Sequence, residues 1–104
     1  MFVKLSAAGK VTLEDRDNFR AFKLVIEGKP SLDDARRALA GTAELADKDT
    51  AWVSQAALRG RAEVAQNQAW QQSFGAMIEK AKPHGWIDEQ KKAIKAHIEW
   101  VASA

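Results

Sequence analysis

Apolar side chains recur along much of this chain at intervals of three and four, the spacing of a helix face. Phe19, Phe22 and Ile26, flanked by Val25, predict a helix over 12–27. Thr12 stands as its N-cap, Asp15 takes the acid position of a capping box, and Gly28 and Pro30 close it. Ser31 opens a second helix, with Asp33 and Asp34 in the first turn, where the helix dipole favours anions. Its stripe is Leu32, Ala35, Leu39, Ala43 and Ala46, ending near Asp47, and Gly41 weakens it by up to about 1 kcal/mol.

Asp49 or Thr50 caps the next segment, whose pattern is helical over 50–82. Unbroken, that segment would span roughly 50 Å, whereas a domain of this size has a radius of gyration near 13 Å. A break is expected, first at 73–75 and second at Arg59, Gly60 and Arg61. A last helix covers 86–102. The opening residues MFVKL read as a short strand or an arm on the bundle, with no obvious pairing partner. The expected fold is all-α: one domain over 1–104, a compact bundle of four to five helices with a short N-terminal arm or strand.

Composition leans the same way, because 20 alanines stand against two prolines and six glycines. The 46% apolar share is that of a globular chain, not a disordered tail. Sixteen basic and fourteen acidic residues leave a charge of +2, so any nucleic-acid surface must come from arrangement. Without cysteine there is no disulfide, thiolate nucleophile or cysteine-bound zinc. No run approaches the roughly 20 apolar residues of a membrane span. The chain is expected to be cytoplasmic, with no membrane partner, and its composition suits a bacterial protein.

Three features carry functional expectations. Residues 42–61 resemble a helix-turn-helix in their placement of Ala43, Leu45, Ala46, Val53 and Ser54. Asp47 and Lys48 fit its turn poorly, and Trp52 sits where polar side chains would read bases. In that alternative, a DNA-binding transcriptional regulator, Arg59 and Arg61 reach phosphates, a small footprint that leaves nucleic acid the less favoured partner. Secondly, Glu63, Asn67 and Gln71 form a polar ridge on an apolar stripe, a candidate ligand-facing row.

The third feature lies on the last helix, whose apolar arc of roughly 160° is wider than a surface helix needs. One edge, Ile87, Ile94, Ile98 and Val101, suits an internal core. The other, Trp86, Ala93, His97 and Trp100, suits a partner: another protein, or most simply a second copy of the chain. Catalysis has little support, since His84 and His97 share no ligand spacing, 14–18 is no calcium loop, and GKPS is no phosphate cradle. The expected function is a non-enzymatic protein-interaction module, without cofactor or metal.

Overall fold

Strand pairing, not helical recurrence, governs the two ends of the chain and the segment around 43–54. The computed structural model, which describes residues 1–102, is mixed α/β rather than an all-α bundle. Its strands are β1 (Phe2–Leu5), β2 (Val11–Glu14), β3 (Lys23–Glu27), β4 (Ala43–Leu45), β5 (Thr50–Ser54), β6 (Ile87–Asp88) and β7 (Ala93–Val101). Its helices are α1 (Leu32–Ala38), α2 (Gln55–Arg59) and α3 (Gln68–Ala81), followed by a 3-10 turn, Lys82–His84.

The last segment shows why. Ile94, Ala96 and Ile98 are buried, whereas Lys95, His97 and Glu99 between them are exposed. A period of two puts each set on its own side of a strand, so the expected helix over 86–102 is β6 and β7. The helix expected over 12–27 is likewise β2, a loop and β3. Leu24, Val25 and Ile26 are buried in succession, as in a strand covered on both faces. Thr12 caps nothing: it lies in β2, its hydroxyl buried without a hydrogen-bond partner among the described residues.

Where local chemistry outweighs pairing, the helical expectation holds. The Ser31 hydroxyl accepts from the Asp34 amide at 3.1 Å, with Asp33 and Asp34 in the first turn. That helix stops at Ala38, well short of Asp47, and Ala43 passes into a strand. Ser54, not Asp49 or Thr50, caps α2, accepting from the Ala57 amide at 3.1 Å. The break falls at Gly60, the second of the expected sites, and α3 runs without interruption through 73–75. Its stripe of Trp70, Phe74, Met77, Ile78 and Ala81 is buried as expected.

The strands form a curled half-barrel in the order β2-β1-β3-β7-β5-β4. β1, β3 and β7 run parallel, while β2, β5 and β4 pair antiparallel with their neighbours. The N-terminal segment is therefore a paired inner strand of the sheet, not an arm. Buried residues of α1 and α3 share one core with the inward positions of the strands. Ala51 and Ala96, partners in register, are almost fully buried in the same core that holds Trp70 and Phe74. The β2 edge is blunted by Arg61, whose guanidinium donates to the Val11 carbonyl at 3.1 Å.

Between β2 and β3 the loop 15–22 packs against Met1, the residue before β1. There the Met1 ammonium donates to the carbonyls of Asn18 and Ala21 at 2.9 and 3.1 Å. Burial holds its pKa below the ordinary value for an α-amino group. The Trp70 indole donates to the Arg16 carbonyl at 2.9 Å, tying α3 to the same loop. Among the described residues no helix is long and apolar enough to cross a membrane.

Candidate functional site

A fork in the sheet creates the site. Ala93 pairs with Ser54 of β5 and with Asp88 of β6, so β6 occupies the β7 edge facing away from β5. β3 takes that same edge farther along, from His97 to Val101. Lys95 and Ala96 lie between the two tines, where the Lys95 amide donates to the Trp86 carbonyl at 2.7 Å.

The gap opens into a cleft of about 770 Å³, a size common among small-molecule sites. Phe19, Arg20 and Phe22 of the 15–22 loop form one wall. Met77, Lys80 and Ala81 at the end of α3 form another, with Ile94 and Ala96 of β7 between them. Gly85, at φ +75°, ends the 3-10 turn and carries the chain from His84 to Trp86. The two rings stack with centroids 4.3 Å apart and planes 19° from parallel. Trp86 nevertheless remains 47% exposed, the one large hydrophobic side chain so placed among the described residues.

The cleft is also charged. Arg20, Lys80 and Lys95 line it, and among the described residues their side chains make no ion pair or hydrogen bond. Asp49 is the single carboxylate on the lining. No group of three or more His, Cys, Asp or Glu side chains among the described residues is arranged to hold a metal ion.

No protein family, curated protein or solved structure compared with the chain matches it. The chemistry of the cleft is that of its own residues.

Of the four residues expected on one aromatic edge, Trp86 and His97 reach the cleft. Ala93 is buried beside a smaller depression of about 220 Å³ that also holds Trp52. Trp100 is half-buried against the core, and its indole donates to the Lys48 carbonyl at 2.6 Å. On a strand, positions 97 and 100 face opposite sides, so the helical edge does not form.

The ridge of Glu63, Asn67 and Gln71 is also divided, because Glu63 precedes α3 in a series of turns. Asn67 caps α3, accepting from the Trp70 amide at 3.0 Å. The Gln71 amide nitrogen donates to the carbonyls of Arg59 and Val64, and its oxygen accepts from Arg59 at 2.8 Å. Residues 42–61 form no helix pair: they are the β4–β5 hairpin followed by α2. Asp47 turns that hairpin by accepting from the amides of Asp49 and Thr50. Arg59 lies over the Phe74 ring at 5.0 Å, while Arg61 bonds Glu63 and Val11.

Glu63 supplies a pH-dependent prediction. The hydrogen bond from Arg61 at 2.9 Å holds its carboxyl below the ordinary carboxylate pKa. Such a group stabilises the fold above its ordinary value and loses that contribution as pH falls through the lowered one. The pair is partly solvated, so Glu63→Gln should lower neutral-pH stability by no more than about 1 kcal/mol. Chemical denaturation in acid should show the gap between the two proteins closing; a gap that widened on acidification would contradict the pairing.

Sequence reasoning did not single out Arg20, Lys80 or Lys95. Each belongs to a different element, and only the pairing of β7 with both β3 and β6 brings them to one cleft.

Proposed function

We propose that this chain is a non-catalytic binding module that admits an aromatic group of another molecule into the cleft at the sheet fork. The carrying observation is Trp86, 47% exposed beside a concavity of about 770 Å³. A wide cleft with mixed apolar and polar lining is the default place for a ligand, and an exposed indole at its rim offers a flat face to stack on. Phe19 and Phe22 add further aromatic surface to the same lining. We keep the cytoplasm as the proposed setting, with which a chain lacking cysteine is compatible.

The test is a set of flat aromatic fragments followed by amide and indole NMR. Shifts should gather on 19–22, 80–86 and 94–97. Trp86→Ala should abolish them while changing stability by no more than about 0.5 kcal/mol, because the ring is largely outside the core. Shifts centred on Trp52, or no shifts at all, would overturn this assignment of the cleft. Light scattering addresses a second copy of the chain as the partner: a dimer returned to monomer by Trp86→Ala would make the occupant a neighbour's side chain.

A further inference from the structure

We infer that the cleft takes a small organic anion: a flat aromatic body bearing a carboxylate or another compact acidic group. This rests on the binding reading above and names its ligand class.

The first support is how charge is distributed around the fork. Lys23, immediately after the 15–22 loop, is neutralised by Glu99 at 2.8 Å. Lys82, just beyond the end of α3, is held by Glu79 at 2.9 Å and Glu89 at 3.5 Å. Arg20 and Lys80, their near neighbours in sequence, line the cleft and are left without an ion pair among the described residues, as is Lys95. Lys23 and Lys82 are thus compensated, whereas the three cations that line the cleft have no ion pair among the described residues. Against the three stands only Asp49, while His84 and His97 contribute no negative charge.

Like charges gathered around one concavity repel one another, and low-dielectric walls focus their field. An anion entering that space relieves the repulsion and gains charge-assisted hydrogen bonds from ammonium or guanidinium groups. The second support is the apolar lining of Phe19, Phe22 and Trp86, with His84 already stacked on the indole. An inorganic anion would leave these rings unused, and a neutral aromatic would leave the cations uncompensated. A molecule carrying both parts meets both the rings and the cations of the lining.

The probes are 2-naphthoate and its neutral counterpart 2-naphthamide, titrated at low salt and read at the Trp86 indole N–H, with inorganic phosphate as a third. Naphthoate is expected to bind about tenfold more tightly than naphthamide, the scale of one charge-assisted hydrogen bond. Added salt should erode that preference, and Lys80→Gln with Lys95→Gln should remove most of it. Phosphate alone should bind more weakly than naphthoate.

Equal affinity for acid and amide in the unaltered protein would overturn the anion assignment while leaving the cleft a binding site. So would phosphate binding as tightly as naphthoate, or a preference untouched by both salt and the double substitution. If neither naphthalene moves the indole signal, the binding reading itself falls too. The acid-to-amide ratio and its salt dependence need no variant, so the test stands even if the substituted protein folds poorly.

Discussion

Replacing Phe74 with alanine is expected to remove about 3–5 kcal/mol of folding free energy, a large part of the roughly 5–15 kcal/mol that holds a typical domain together. Phe74 is fully buried on α3. Trp70 stacks on it at 4.8 Å, Phe19 stands 6.0 Å from Trp70, and the Arg59 guanidinium lies 5.0 Å from the Phe74 ring centre. The substitution opens a cavity and also ends an aromatic pair worth about 0.5–1.5 kcal/mol beyond its area. A thermal midpoint lower by more than about 10 °C follows from the size of the domain. Phe74→Leu keeps much of the volume and should lose clearly less. A loss below about 1 kcal/mol for the alanine variant would contradict the central position of this ring.

Gly28→Ala should be the second severe substitution, and its severity is separable into two parts. Gly28 follows β3 at φ +79°, where its amide donates to the Val101 carbonyl at 3.0 Å. A left-handed backbone alone costs an alanine about 1–2 kcal/mol. At Gly28 a methyl group would also stand 2.9 Å from the Ala7 Cβ and 3.3 Å from its Cα, too close without movement of the β1–β2 hairpin. Gly41, at φ +85°, has nothing within 4 Å of such a methyl, so Gly41→Ala should show the conformational part alone. Gly28→Ala is expected to lose at least about 1 kcal/mol more than Gly41→Ala, the lower end of overpacking penalties. Adding Ala7→Gly to Gly28→Ala should recover part of that excess. Equal losses at the two glycines in denaturant titrations would remove the Ala7 contact from the account.

The parts of the fold legible in the sequence were those set by neighbours a few residues away. Ser31 with Asp33 and Asp34 announces a helix start by itself, and the Trp70-to-Ala81 stripe has no competing period. The parts that were not legible are those where two periods fit the same residues. In β7, alanine at 93 and 96 satisfies a helical face as readily as a pleat, and alanine's helix propensity tilts the reading. The contrary signal was present: Lys95, His97 and Glu99 separate Ile94, Ala96, Ile98 and Trp100 one by one. A helical projection spread those apolar residues over an arc too wide for a surface helix, the mark of a wrong period. In β3, Ile26 keeps helical spacing with Phe19 and Phe22 of the preceding loop by coincidence, while the run Leu24, Val25 and Ile26 is that of a buried strand. Trp86 and His97 were legible as unusual, but not their cationic company. Arg20, Lys80 and Lys95 meet only through a strand pairing that no local pattern encodes.

The position of β7 has a bearing on how the molecule comes into being. It joins β3 to β5, yet it is the last strand along the described chain. Until residues 93–101 have been synthesised, β3 and β5 each carry an unsatisfied flank of amides and carbonyls, open to pairing with a stranger. Contacts between distant segments close slowly, and incomplete sheets aggregate while they wait. Assembly during translation should thus hinge on one late event, with the hairpin-bearing early segment and the helix-rich middle remaining provisional until a single nine-residue stretch slots between them.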